Sequence, residues 1–243
     1  MKRQKLTVLT GAGVSAESGI STFRDSDGLW ENHKVEDVAS IEGWYRNPSL
    51  VLDFYNARRA QLFTVKPNAA HLAIADLENE YDVTVVTQNV DNLHEQAGSS
   101  RVIHLHGEMM KMCSSRDVDN PRFWITLPHE GWGESGLEVP LGTKADDGSL
   151  LRPYIVFFQE NVPNMYDAVL EAQKADVFVI IGTSLNVYPA ASLLQYVQPS
   201  AQVYLIDPNP VQTSASCNVC VIQKGASEGV KNLVELLKQR SEI

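Results

Sequence analysis

The sequence predicts an α/β fold, a doubly wound parallel sheet carrying a smaller inserted domain, on three observations. Apolar, β-rich runs recur along the chain, segments of helical spacing separate them, and Gly-rich or polar turns follow them. A strand that is apolar at successive positions is buried on both faces, which a parallel sheet covered by helices requires.

The first such run, Leu6–Thr10, stops at Gly11-Ala12-Gly13, the pattern of a βα turn. The second, Tyr81–Thr87, follows a helix-period stretch near Ala69–Asn79; the third, Asp176–Ile181, follows the helical Tyr166–Ala175; the fourth is Gln202–Ile206. Residues about 30 to 70 carry Trp30, Trp44, Phe54 and Tyr55 on helical segments, and residues 108 to 152 are polar, Gly-rich and without clear periodicity. The second of these exceeds a plain loop, so it is a small module or a mobile lid. We expect one catalytic domain over 1–243, its sheet part from about 1–30, 76–107 and 151–243, with insertions at about 31–75 and 108–150.

A chain of 243 residues with 44% apolar and 21% charged residues is globular, which excludes fibrous and disordered classes. Its net charge of −10 repels phosphate backbones, so nucleic acid is not an expected partner. The apolar run Val177–Ile181 is far short of the ~20 residues of a membrane span, and Met1–Lys5 leads straight into a strand, so no membrane partner is expected and the expected location is the cytoplasm. The three cysteines, Cys113, Cys217 and Cys220, are too few for a disulfide scaffold. Cys217-Asn-Val-Cys220 has the spacing of half a zinc site but lacks the other ligands, so no metal is expected.

Polar turns fall at the carboxyl ends of the strands, the edge of an open sheet where ligands bind. Gly11-Ala12-Gly13-Val14-Ser15-Ala16 has the spacing of a dinucleotide-binding turn, continued by Glu17, Phe23 and Arg24, whose guanidinium suits a phosphate or carboxylate. The acidic ribose anchor expected about 20 positions on is not evident, so ribose must be held differently. Thr87-Gln88-Asn89-Val90-Asp91-Asn92-Leu93-His94 ends the second strand; a capped helix start would explain one of these polar residues, not the group. In His104-Leu105-His106-Gly107 either imidazole could be a base or a ligand, and the glycine points to close backbone approach beside His106. Gly182-Thr183-Ser184, Asp207-Pro208-Asn209 and Lys224-Gly225-Ala226 end or follow later strands in the same manner.

Taken together, residues 11–24, 87–98, 104–107, 151–160 and 182–190 resemble the sirtuin family of NAD-dependent protein lysine deacylases over nearly the whole chain. The resemblance implies a Rossmann-type sheet with an inserted domain, NAD consumed as co-substrate, and acyl-lysine proteins as partners. It implies that Ala12, Gly13, Ser15, Glu17 and Arg24, with Gly11 and Phe23, line the pyrophosphate and nicotinamide-ribose side, and that Gln88, Asn89 and Asp91 contact the ribose and nicotinamide pocket. Asn89 and Asp91 are grouped with His106, the implied general base, as catalytic. Gly182, Thr183, Ser184, Asn209 and Ala226 match the adenosine half, and Ile155, Val156 and Phe157 would pair with the substrate peptide by strand addition. The acyl oxygen then attacks the ribose carbon bearing nicotinamide, and His106 takes a proton from the ribose hydroxyls, leaving free lysine and an O-acyl-ADP-ribose.

Tyr55 and Arg58, three apart on a helix, share a face and suit a carboxylate, as in the branch that removes succinyl and malonyl groups; Ala39 matches the small residue that leaves room for a longer acyl chain. Sirtuins usually carry two Cys-x-x-Cys pairs that hold structural zinc, but residues 107–152 contain only Cys113. Zinc is therefore expected to be absent, with packing of Phe123, Trp124, Ile125, Trp132 and Leu137 in its place. Ser21 replaces a usual Pro and Gln159 a usual Gly. A NAD glycohydrolase, an ADP-ribosyltransferase and a NAD-binding module without turnover stay open as alternatives.

Overall fold

A computed structural model describes residues 3–21, 29–30, 32–183, 185, 187–210 and 219–241. In chain order its elements are β1 (Lys5–Thr10), α1 (Gly13–Ala16), β2 (Leu29–Trp30), β3 (His33–Lys34), α2 (Val35–Val38), α3 (Ile41–Arg46), α4 (Pro48–Leu62) and α5 (Ala69–Asp76). There follow β4 (Asp82–Thr87), α6 (Leu93–Gln96), β5 (Val102–His104), β6 (Gly107–Ser114), β7 (Ile125–Thr126) and β8 (Leu151–Ile155). The chain continues with α7 (Met165–Lys174), β9 (Val177–Ile181), β10 (Gln202–Ile206), β11 (Val219–Ile222) and α8 (Ala226–Ser241).

The large sheet has six strands in the order β11-β10-β9-β1-β4-β5, all pairs parallel. Alternate residues bury on opposite faces. Leu6, Val8, Val83, Val85, Val177 and Val179 pack with Ala70 and Ile74 of α5 and Val230 and Leu233 of α8. Leu9, Val86, Phe178 and Ile180 pack on the other side with Ala168 and Ala172 of α7 and Leu193. Both faces are therefore dry, which is why these strands read as unbroken apolar runs. The four strands expected from sequence are present, and the two additional strands, β5 and β11, are short and form the edges.

Residues 108–152 run through the small antiparallel sheet β7-β6-β8, as the small-module reading expects. β6 alternates buried and half-buried positions from Gly107 to Met110 and is buried on both sides only from Met112 to Ser114. Leu137 is buried with Met112, Leu127, Val139 and Leu151, while Phe123, Ile125 and Trp132 pack at the margin. Trp124 instead meets Tyr154, ring centroids 4.5 Å apart. Cys113 is buried, its thiol pushed up to about 12 by burial. Cys220 lies exposed on β11, and Cys217 lies outside the described residues. Beside Cys113, Ser114 Oγ donates to Asp147 Oδ2 at 2.6 Å and accepts from the amides of Arg116 and Asp117, while Ser149 Oγ and its amide donate to Asp147 Oδ1.

Helix α4 starts on an Asn47 cap, whose side chain accepts from the Leu50 amide, with Pro48 in the first turn. It is stitched to the small module. Asn56 exchanges two hydrogen bonds with the Val139 backbone at 3.1 Å, and the fully buried Arg59 donates Nε to the Leu137 carbonyl at 3.0 Å and Nη2 to Asn56. Burial lowers the Arg59 pKa to about 10, so the side chain stays charged at neutral pH.

Candidate active site

Because all six strands are parallel, their carboxyl ends lie at one edge, and the strand order reverses about β1, with β4 on one side and β9 on the other. Crevices at such switch points are where open α/β sheets take ligands. There the turns after β1 and β9 pack backbone to backbone: a Cβ on Gly13 would lie 2.6 Å from Gly182 Cα, and one on Gly182, at φ +62, 2.5 Å from the Val14 amide. The glycines thus join the two halves of the edge, with Gly13 N donating to Gly182 O at 2.9 Å and Gly11 N to Ile181 O at 3.0 Å. Helix α1 is a single turn.

Ser15, buried on α1, donates to Asp91 Oδ2 at 3.0 Å and accepts from Asn89 Nδ2 at 3.1 Å, joining three of the sequence-predicted residues in one network. The other Asp91 oxygen accepts from the Leu93 amide at 3.1 Å, in the turn that leads into α6, whose N-cap is Asn92. Burial raises the Asp91 pKa, opposed by the bonds from Leu93 and Ser15. Gln88 donates to Thr183 Oγ1 at 3.0 Å, bridging the turns after β4 and β9. Its carbonyl lies 2.9 Å from His106 Nδ1. A carbonyl only accepts, so Nδ1 carries the proton and Nε2 keeps a lone pair. Burial lowers the His106 pKa, against the opposing bond to Gln88, so the ring is neutral at pH 7.

His104 faces the other way. Its Nε2 lies 2.6 Å from Glu95 and its Nδ1 3.0 Å from the Asn89 carbonyl; burial alone would lower its pKa, but the Glu95 carboxylate outweighs this and raises it. Of the two histidines, His106 is the one whose pKa is held below the ordinary value. Gly107, at φ +86, approaches β8 so closely that a Cβ would lie 2.1 Å from the Tyr154 carbonyl. That is the close approach its sequence position implied.

Glu17 accepts from the Ser227 amide at 3.1 Å, which brings it to the start of α8 beside the buried Ala226. Asn209 donates its amide to Asp207 Oδ1 at 2.9 Å in the turn after β10. Ala12 lies in the first turn with Gly11 and Gly13. Phe23, Arg24 and Ser184 lie outside the described residues.

A second group lies beside His106. Val156 donates its amide to the His106 carbonyl at 2.9 Å and Phe158 to the Ala39 carbonyl at 2.8 Å, while Ile155 belongs to β8. Tyr55, fully buried on α4, lies 6.2 Å from the Phe157 ring and 5.2 Å from that of Phe54, over which the half-buried Arg58 guanidinium sits at 5.5 Å. Ala39, Tyr55, Arg58, Ile155, Val156 and Phe157 therefore share one region. Gln159 adopts φ +78, keeping the left-handed conformation expected of a Gly.

Sequence reasoning missed Asn68, whose side chain caps α5 while donating to the Val14 carbonyl at 2.8 Å and to Ser18 Oγ at 3.0 Å. An Asn before a helical run was the signal available. It also missed His71, whose ring lies 4.8 Å from that of His94; His94, a member of the predicted Thr87–His94 cluster, meets Thr10 Oγ1 at 3.1 Å.

A doubly wound sheet with a buried polar network at its switch point and an imidazole beside it has the form of a nucleotide-binding site. The Sir2 family model matches residues 11–189, and the chain belongs to that family. It is 59% identical over 234 residues to a NAD-dependent protein deacylase of Bacteroides thetaiotaomicron, covering 96% of this chain and 98% of that one. A solved Sir2 homologue in complex with NAD is 37% identical with a TM-score of 0.83, covering 98% of this chain and 91% of that one. A Sir2 protein bound to acetylated peptide is 29% identical with a TM-score of 0.77, covering 96% and 93%. The chain is thus an enzyme of the Sir2 family that resembles NAD-dependent protein deacylases over nearly its whole length. Among the described residues no helix is long and apolar enough to cross a membrane, and no three His, Cys, Asp or Glu side chains gather as a metal set.

Proposed function

We propose that this deacylase acts on lysines carrying acidic acyl groups, succinyl and malonyl, and on acetyl-lysine as well, yielding nicotinamide and an O-acyl-ADP-ribose. The observation that carries this reading is Tyr55 and Arg58 one turn apart on α4, beside Phe157 and in the region of Ala39. Burial raises the Tyr55 pKa, so its phenol remains a donor, and with the Arg58 cation it offers two charge-matched bonds to a carboxylate. Apolar Phe54 and Phe157 around them strengthen that attraction by excluding water.

In this reading Gly11, Ala12, Gly13, Ser15, Glu17, Gln88, Asn89, Asp91, Gly182, Thr183, Asn209 and Ala226 line the NAD crevice. When bound, NAD supplies the ribose carbon that captures the acyl oxygen as nicotinamide leaves. His106 accepts the ribose hydroxyl proton at Nε2, because Nδ1 is committed to Gln88 and the ring is neutral. The Val156 carbonyl accepts the amide N–H of the acylated lysine: among the carbonyls of 155–158, those of Phe157 and Phe158 accept from the amides of Glu160 and Ile41, and that of Ile155 from Arg152.

The test is kcat/KM for succinyl- and acetyl-lysine peptides of one sequence, with wild type, Tyr55→Phe and Arg58→Met. The succinyl value is expected to fall at least roughly tenfold, the loss of about one charge-assisted hydrogen bond, while the acetyl value holds. A parallel fall in both would remove the carboxylate clamp.

A further inference from the structure

The segment that follows β8 is held by an ion pair to which the reading above assigns no role. Arg152, fully buried, reaches across its own loop to Glu160 with Nη1 to Oε1 at 2.6 Å and Nη2 to Oε2 at 2.8 Å. The same Nη2 donates to the Ile155 carbonyl at 2.6 Å, Glu160 Oε2 accepts from the Phe157 amide at 2.8 Å, and the guanidinium lies 4.0 Å from the centre of the Phe157 ring. One pair of charges thus fixes the backbone on both sides of Val156, leaving that residue's amide to the His106 carbonyl and its carbonyl without a donor among the described residues.

We propose that Arg152 and Glu160 are positioning residues for the acyl-lysine: they close the 152–160 loop so that the segment presents one acceptor, Val156 O, in fixed register with His106. The proposal rests on the reading that the acyl-lysine docks on this segment, not on which acyl group it carries. Neither side chain touches the reacting atoms. Each acts through Ile155 and Phe157. Without the pair, the Phe157 amide and Ile155 carbonyl become additional, misaligned partners for an incoming peptide, and the acceptor at Val156 loses its fixed direction.

Removing one partner leaves an uncompensated buried charge and endangers folding, whereas replacing both with apolar groups of similar volume is often neutral. The deciding variant is therefore Arg152→Met with Glu160→Leu, alongside Arg152→Met with Glu160→Gln, which leaves no buried charge and keeps an acceptor for the Phe157 amide. Steady-state kinetics are measured with acetyl and succinyl peptides, ADP-ribose affinity by calorimetry, and folding by melting temperature. The deciding variant is expected to raise peptide KM roughly tenfold for both acyl groups with ADP-ribose affinity unchanged, the loss of about one oriented hydrogen bond. Arg152→Met with Glu160→Gln is expected to recover part of the lost KM through the retained Phe157 bond. A folded deciding variant with wild-type peptide KM overturns the proposal, and so does an equal loss of ADP-ribose affinity. Failure of the acid-acyl reading appears separately, as a wild-type enzyme that does not favour the succinyl peptide.

Discussion

At the scale of single residues, His106 shows how a surrounding carbonyl chooses the chemistry of a ring. Its Nδ1 is committed to Gln88, and burial holds its pKa below the ordinary value of 6.5. Protonation, and with it loss of the base, is therefore deferred to lower pH. The acid limb of kcat/KM is expected to fall below pH 6.5, and to vanish with the activity in His106→Ala while ADP-ribose still binds. A limb at or above that value would contradict the burial argument. The sequence showed this residue through its Gly107 neighbour, because a glycine pressed against Tyr154 leaves a visible mark. It could not show that the pKa of His104 is raised and that of His106 lowered, because that depends on burial and on Glu95 and Gln88 reaching each ring through the fold.

At the scale of elements, α5 and α6 meet through His71 and His94, whose rings lie 4.8 Å apart under the active-site network. Burial lowers their pKa values to about 4 and about 3. Between those values and the ordinary 6.5 the unfolded chain binds more protons, so stability rises with pH through that interval and is lost on acidification. The slope is about 1.4 kcal/mol per pH unit for each imidazole, on the order of a few degrees of melting temperature. Melting curves from pH 7 to 5 are expected to show that decline, and a flat profile would mean the rings are already solvated. Helices α5 and α7 and the four central strands were legible because their apolar spacing is regular. β6 was not, since its alternation stops after four residues, and Glu108 and Lys111 interrupt the apolar run.

At the scale of the molecule, the expected doubly wound sheet and inserted module are both present, and the polar turns do gather at one edge. What held the module together was less legible. Phe123, Trp124, Ile125, Trp132 and Leu137 were expected to carry it, yet Trp124 lies outside the Leu137 cluster, and Asp147 joins Ser114 and Ser149 through short hydrogen bonds that no spacing rule announces. Those bonds, first from Ser114 and then from Ser149, lower the Asp147 pKa to about 2. The carboxylate stays ionised down to that range, and its contribution is lost only as pH falls through it. Deacylation and melting temperature are therefore expected to be unchanged after dialysis against a strong chelator at pH 7.5. A drop in either would reveal a bound metal.

The stitching of α4 to the module also sets what can be transplanted. Arg59 and Asn56 bind the helix that carries Tyr55 and Arg58 to the backbone of Leu137 and Val139. A chimera that moved the helix alone into a relative would bury a guanidinium away from its acceptors. The smallest portable cassette for acyl preference is the helix together with the 137–139 backbone, two pieces some eighty residues apart in the chain that must be inherited as one.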